Sequence, residues 1–416
     1  MPENLKKDRR ISFLFLLVAE GWLCLAVVWS VYQPYVMERF GIGNGFASQP
    51  YAINLGVNII GQLWSGYLLK KKVALKKVMY LGTLLSTAGL AAMAFTTIDL
   101  PWCLNISYGL LLGIGIGISY NAIYVAVIQW FPEKRGMALG FVATSVGVTG
   151  FALTYLVNLW LKSYGFFAAT CILTAGFAFC SFVGCRFAHM APAHIDSYFE
   201  KSENVQTVKN YSAGEMIKTK EFLLIFLYLT VAMISYRMVT PMTITMGMDR
   251  NVSNEVCVMI TLACTIANTC ARFFIPILSE KISRNRMLVV LFVLDTSASL
   301  LLIFATGWLY VICVPVLALC FGGFVGINPA LSADYFGTEN AGQNNSILTI
   351  GSSVVTLIVP HIVSILEKTV YGYAGMFMMA SVLTVAGLLA VIILQQWKKK
   401  ERSTQLKWMQ GVVYER

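Results

Sequence analysis

Residues 102–131 run WCLNISYGLLLGIGIGISYNAIYVAVIQWF, thirty residues without one charged side chain. About 20 mostly apolar residues carry a helix across the hydrocarbon of a bilayer. The run lacks the two-residue polar–apolar alternation of a barrel strand, so a helix is its only spanning form. Gly109, Gly113 and Gly117 recur every four residues and share one helical face. That spacing predicts close packing against a neighbouring helix. The Gly-Ile-Gly-Ile-Gly string at 113–117 has no strand before it, so it is not read as a phosphate loop.

Working outward from this stretch, twelve such runs follow one another, at 11–36, 47–69, 78–97, 102–131, 137–161, 165–188, 221–248, 253–278, 287–305, 308–335, 345–366 and 370–397. Apolar residues make up 57% of the chain and charged residues only 12%. The charged share is about half that of soluble proteins, which excludes a soluble enzyme, a secreted disulfide scaffold and a nucleic-acid module. The fold class expected is an all-α polytopic membrane protein. Its first run is too long for a signal-peptide core and is read as retained. Ten cysteines lie scattered in apolar runs without a CxxC pair, and three histidines (His189, His194, His361) show no metal spacing. The cysteines read as small packing residues, and no cofactor or metal is implied.

The basic residues fix the orientation. Of 31 lysines and arginines, 25 fall in segments on the side of the two termini. Only Arg39, Lys162, Arg250 and Lys368 fall on the other side, while Arg237 and Arg272 lie inside spans. Positive charge concentrates in cytoplasmic loops, so both termini are expected in the cytoplasm and the chain in the plasma (inner) membrane. The net charge of +11 is therefore distributed for a membrane, with no nucleic-acid partner implied.

Between spans 6 and 7 lies the longest polar stretch, about 189–220. It divides the chain into an N-terminal bundle (1–188), a cytoplasmic linker (189–220), a C-terminal bundle (221–397) and a cytoplasmic tail (398–416). The linker ends in Ser212-Ala-Gly-Glu215, a capping-box pattern that opens a short helix. The halves echo one another. Lys76-Lys77-Val78-Met79 after span 2 matches Arg284-Asn285-Arg286-Met287 after span 8. Trp130-Phe131 before Gly136 matches Tyr335-Phe336 before Gly342. This predicts a parallel internal repeat of six spans.

Small and polar residues mark the inner faces. Span 5 carries Gly136, Gly140, Ala143, Gly147 and Gly150 at alternating spacings of 4 and 3. They read as a packing seam, either static or one along which the halves rock. Polar stripes run along span 2 (Tyr51, Asn54, Asn58, Ser65), span 8 (Thr261, Thr265, Asn268, Arg272) and span 11 (Asn345, Thr349, Ser352, Thr356). Three stripes in related spans predict a shared aqueous cavity, the other reading being interhelical hydrogen bonding.

Charges inside the membrane are functional candidates by default, at about 3 kcal/mol each. Four stand out: Arg272 and Arg237, Glu20, and Asp295. A guanidinium keeps its charge at accessible pH and its fork fits a carboxylate, so Arg272 and Arg237 read as anion counter-ions or as halves of internal salt bridges. Glu20 reads as a proton-coupling group or as the static partner of an arginine. Asp295 reads as structural, and His361 as a buried histidine. Tyr120, Asn121 and Tyr124 in span 4 offer hydrogen bonds to a ligand, with packing as their other role.

These residues carry a resemblance. The stretch Trp130-Phe131-Pro132-Glu133-Lys134-Arg135-Gly136-Met137-Ala138-Leu139-Gly140 resembles the span 4–5 loop of the oxalate/formate antiporter-like family. That family is related to the monocarboxylate porters within the major facilitator superfamily. Asn328-Pro329, followed by Asp334-Tyr335-Phe336-Gly337, is similar to its span 10 ending. Ala271-Arg272, with Ser279-Glu280-Lys281-Ile282-Ser283-Arg284, is similar to its span 8 and following loop. Glu215 to Phe222 is similar to the start of its span 7. The resemblance implies twelve transmembrane helices in two six-helix bundles, the major facilitator fold. It assigns Arg272 to the substrate carboxylate, matches Gly113, Gly117, Tyr120 and Tyr124 to family positions in span 4, and makes Glu280 and Arg284 the gating loop. Two departures matter. Span 11 lacks the lysine that the family's oxalate exchangers carry there. In the first-half loop, Lys71 stands in place of the expected acid, which predicts a weaker gate contact in that half.

The expected function is secondary, alternating-access transport of a small organic anion. A monocarboxylate such as formate, lactate or pyruvate is favoured, by proton symport or anion exchange. The alternatives are an oxalate/formate-type dicarboxylate antiporter or a proton-driven exporter of other small solutes. Substrate contacts are expected at Arg272, Arg237, Tyr124, Tyr120, Asn121, Asn268 and Asn58, with proton coupling at Glu20. The partners implied are the anion, protons and membrane lipids, for a chain acting as a monomer without catalytic chemistry.

Overall fold

The computed structural model describes residues 2–192, 195–198, 209–366, 369 and 372–414. His194, residues 199–208 of the linker and Lys368 lie outside the described residues, as do the side chains of His361 and of the tail beyond Lys399. Twelve helical spans cross the molecule. Span 1 is Glu3–Phe40, with a 3-10 turn at Trp22–Cys24. Spans 2, 3 and 4 are Gln49–Lys70, Leu75–Ala94 and Asn105–Trp130. Spans 5 and 6 form one helical stretch, Arg135–Phe187, which turns back at Gly165. Gly165 has φ 74°, a backbone state that side chains with a Cβ rarely adopt.

Span 7 is built in pieces: Lys220–Val231, Ile234–Val239, a 3-10 turn Thr240–Met242, and Thr243–Met248. Pro241 lies in that turn, where its missing N–H ends regular hydrogen bonding. Spans 8, 9 and 10 are Asn254–Ile282, Arg284–Phe304 and Trp308–Phe336. Span 11 consists of Ala341–Leu348 and Ile350–Leu366, and span 12 belongs to a helix that runs on to Tyr414.

Nine helical stretches among the described residues are long and apolar enough to cross a membrane unaided. Spans 2 and 11 are not among them. Span 2 is diluted by Asn54, Asn58 and Gln62, and span 11 is cut at Thr349. Both pack near the middle of the molecule, Gly56 of span 2 against Leu357 of span 11.

Two apolar cores form. One gathers Leu16, Trp29, Tyr108 and Phe177 from spans 1, 4 and 6. The other gathers Tyr228, Phe292, Phe324 and Phe377 from spans 7, 9, 10 and 12. Ala330 and Ala333 of span 10 pack into the first core and so join the halves.

The glycine seams divide by role. On span 4, an added Cβ at Gly113 would meet the Asn54 backbone at 2.8 Å, and one at Gly117 would meet the carbonyl of Asn58. That seam lies inside one half, between spans 2 and 4. On span 5, Gly136 faces Pro276 and Glu280, Gly140 faces Phe273, and Gly147 faces Thr269. That seam joins the two halves, while Gly150 turns back to Cys24 of span 1.

At the linker's end, the Ser212 capping box is present. Ser212 N–H donates to Glu215 Oε2 at 2.9 Å, and Glu215 N–H donates to Ser212 Oγ at 3.4 Å. These contacts and the nearby Lys209 hold the exposed Glu215 carboxyl below its usual range.

Candidate functional site

Spans 7, 8 and 10 converge on one aromatic ring. Arg272 Cζ lies 6.0 Å from the centroid of Phe321, and Arg237 Cζ lies 5.2 Å from the same centroid. The Tyr236 ring sits 5.2 Å away, centroid to centroid. Arg272 Nε donates to Asn268 Oδ1 at 2.9 Å, one helical turn earlier on span 8, and Asn268 shares a side-chain hydrogen bond with Tyr236. A guanidinium held against a ring gains about 0.5–2 kcal/mol, less than an ion pair is needed to repay its desolvation. No ion pair involves either arginine among the described residues. Arg237 Nε is buried without a hydrogen-bond partner. The site therefore holds two guanidiniums with donors to spare.

The first half supplies the opposite wall. Tyr120 and Tyr124 stand one turn apart on span 4, with ring centroids 4.4 Å apart and a hydrogen bond between them. The pair lies within electrostatic reach of both Glu20 on span 1 and Arg272 on span 8. Tyr51 of span 2 lies within reach of Arg237. Glu20 is 0% exposed, and neither of its carboxyl oxygens has a hydrogen-bond partner. It forms no ion pair among the described residues, so the static-partner reading finds no support. Asp295 accepts from Ser235 Oγ at 3.3 Å and is buried, in keeping with the structural role expected of it.

Other expected site residues are engaged elsewhere. Asn121 Nδ2 donates to the carbonyl of Gln62 at 3.2 Å, tying span 4 to span 2 rather than standing open to a ligand. Asn58 Oδ1 accepts from Gln62 Nε2 at 2.7 Å. The polar stripes also read differently in three dimensions. Asn54 of span 2 is buried and donates to the carbonyl of Tyr108 at 2.9 Å. On span 8, Thr261 and Thr265 bond carbonyls one turn back in their own helix, as do Thr349 and Thr356 on span 11. Helical threonines satisfy themselves in this way, so a stripe of them carries no information about water. Of the three stripes, the Asn268–Arg272 end of span 8 and Tyr51 of span 2 are the parts that meet the arginine site.

At the end of the molecule that bears the clustered basic residues, a charged latch crosses between the halves. Glu280 Oε1 accepts from the N–H of Gly136 at 2.5 Å, at the start of span 5. Arg284 Nη2 lies 3.8 Å from the same oxygen, and its Nε donates to Asp334 Oδ2 at 2.5 Å. Arg135 Nη1 lies 3.3 Å from Asp334 Oδ1, a second bridge between halves. The expected gating residues Glu280 and Arg284 thus meet in one cluster. Arg9 and Glu133 form a separate ion pair within the first half.

Sequence reading missed Phe321, Tyr236 and the bridging role of Asp334 and Arg135. Phe321 offers no signal, being one of several aromatics in a mostly apolar helix. Asp334 had one, since an acid at a span's basic end faces the lysine and arginine clusters of neighbouring loops.

The model for the Major Facilitator Superfamily matches residues 14–360 and 225–410. An uncharacterised MFS-type transporter, YhjX, of Escherichia coli (strain K12) is 21% identical over 372 residues, covering 85% of this chain and 87% of that one. The oxalate:formate antiporter of Oxalobacter formigenes is 24% identical over 321 residues, covering 76% and 74%. Among solved structures, the transporter FucP in the outward conformation is similar at a TM-score of 0.70 and 12% identity, over 93% of this chain and 99% of that one.

Proposed function

The chain belongs to the Major Facilitator Superfamily, and from that premise we propose that it is a secondary transporter of small organic anions. A monocarboxylate such as formate, lactate or pyruvate is favoured, moved by proton symport or anion exchange. One observation carries the reading: two guanidiniums inside the membrane share the Phe321 ring, and no acid among the described residues pairs with either. An unpaired buried charge costs several kcal/mol or more, and a carboxylate guest removes that cost for both partners at once. A lipophilic-cation exporter needs the opposite charge balance.

In this scheme the anion docks on Arg272 through a bidentate fork, with Arg237 beside it and Tyr120, Tyr124 and Asn268 completing the wall. Glu20, buried and without a hydrogen-bond partner among the described residues, is the group that takes up a coupling proton where one travels; where it stays ionised, the carrier exchanges anions. With the basic end in the cytoplasm, the Glu280–Gly136 and Arg135–Asp334 bridges close the inner side and leave the site facing outward. Glu280 and Arg284 form the gate that must part for release inward. The dicarboxylate reading has one observation in its favour: Arg237 offers a second cation near Arg272 although span 11 has no lysine.

The test is uptake in proteoliposomes across a panel of carboxylates, with and without a pH gradient. Arg272→Lys is expected to fold, reach wild-type amounts and lose at least about 90% of uptake, because a point charge replaces a fork. Undiminished uptake by Arg272→Ala at wild-type amounts overturns the proposal.

A further inference from the structure

Glu20 shares its tyrosine wall with Arg272, yet it is paired with neither arginine. The Tyr120–Tyr124 pair lies within electrostatic reach of both, and with no ion pair between them the carboxyl contributes charge to the site without occupying a guanidinium fork. Asp295, the other acid at this depth, is held by Ser235 and pairs with neither guanidinium. A guanidinium is a fixed positive charge, whereas a carboxyl gains and loses its charge with a proton. The site therefore contains two positive charges and one carboxyl.

We propose that Glu20 is an internal counter-charge that sets how many negative charges the transported anion carries, and so is a specificity-determining residue. The inference rests on the anion-transport reading above and deepens it. Occlusion strips water from the site, and a net charge left there is penalised. Two guanidiniums call for two negative charges. An ionised Glu20 supplies one and leaves room for a monoanion. A protonated Glu20 supplies none and leaves room for a dianion, so a dianion crosses together with the proton on Glu20. The charge of the solute then decides whether a proton travels. The tyrosine pair passes this balance between the carboxyl and the anion without a direct ion pair that would block the Arg272 fork.

The experiment is a charge cycle read by uptake in proteoliposomes at one fixed pH, with lactate as the monoanion probe and oxalate as the dianion probe. Glu20→Gln removes the counter-charge and is expected to raise the oxalate-to-lactate ratio about tenfold or more. Arg237→Gln removes one positive charge and is expected to abolish the oxalate component. The double variant leaves Arg272 alone and is expected to recover lactate uptake relative to Glu20→Gln. Such recovery by a second substitution is something a merely structural Glu20 does not produce. If Glu20→Gln lowers both probes equally and the double variant recovers neither, while melting temperature and membrane amounts match wild type, the counter-charge role is overturned and anion transport still stands. If the wild type moves neither probe nor any other carboxylate, the transport reading falls and this inference with it.

Discussion

The loop after span 8 grips span 5 with an acid, whereas the end of span 2 meets the start of span 11 through close packing at Gly66. In the first junction, Glu280 accepts from Gly136 N–H, and Arg284 ties Glu280 to Asp334. In the second, Gly66 backs onto Gln343, where an added Cβ would lie 2.8 Å from its backbone. Lys71 there lies 4.7 Å from the Tyr67 ring and enters no ion pair among the described residues. The sequence repeat makes these junctions counterparts. One is locked by charge-assisted hydrogen bonds of about 1.5–3 kcal/mol each, the other by close backbone packing that dispersion alone rewards. In the transport scheme proposed above, opening this end breaks one strong contact and one weak one, which makes the second half's loop the energetic gate and the first half's loop a bearing surface.

The largest effect is expected from removing the acid. Glu280→Ala frees the Gly136 N–H and leaves Arg284 with Asp334 and the Ser279 hydroxyl. The basic end is expected to open more often, and a cysteine placed at Ala333, 2% exposed and packed between the halves, is expected to alkylate about tenfold faster in a background without native cysteines. Lys71→Ala in the same background is expected to leave that rate within about twofold. Equal effects of the two substitutions would erase the asymmetry.

Building the missing latch tests the comparison from the other side. Lys71→Asp places an acid at the end of span 2, five residues after Gly66, which packs on Gln343 in the first turn of the helix Ala341–Leu348. An acid at a helix N-terminus gains about 0.3–1 kcal/mol. The variant is expected to slow Ala333 cysteine labelling about two- to fivefold, and combined with Glu280→Ala to return part of the protection lost. Faster labelling in the single variant would show that the bearing surface tolerates no charge.

The asymmetry itself was legible before any coordinates, because Lys71 and Glu280 occupy matching loop positions. So were the spans, the capping box at Ser212 and the arginine on span 8, each of which rests on local chemistry: hydropathy, a side chain three residues from its partner, a charge among apolar neighbours. What local pattern cannot carry is which helix a side chain meets. Asn54, Asn58 and Thr261 form periodic stripes, but periodicity gives only a face, and those faces turn to a neighbouring backbone or to their own helix. Phe321 was unreadable for the same reason. Its meaning comes from two arginines on spans 7 and 8, 84 and 49 residues away along the chain. The turn at Gly165 was legible as well: the sequence separates spans 5 and 6 at 162–164, and the positive φ of Gly165 bends the chain back beside that break.

The smallest expected effect lies in the turn geometry of the same two loops. Ser283 has φ 98° and ψ 140°, and Lys72 has φ 58°. Holding a non-glycine residue in such a region costs about 1–3 kcal/mol, and Lys72 sits in the milder left-handed helical well. Ser283 also caps span 9, accepting from Arg286 N–H at 3.4 Å. Glycine loses little as a cap, a few tenths of a kcal/mol, but costs about 0.5–1 kcal/mol in unfolded-chain entropy. The balance for Ser283→Gly is a gain of about 0.5–1 kcal/mol, visible as a slightly raised melting temperature in detergent. Lys72→Gly is expected to be neutral within about 0.5 kcal/mol, because there the relieved strain and the added entropy cancel. A loss of stability in Ser283→Gly would mean that its hydroxyl cap holds the Glu280–Arg284 loop in shape. The strength of the Glu280 junction would then come from its turn as much as from its acid.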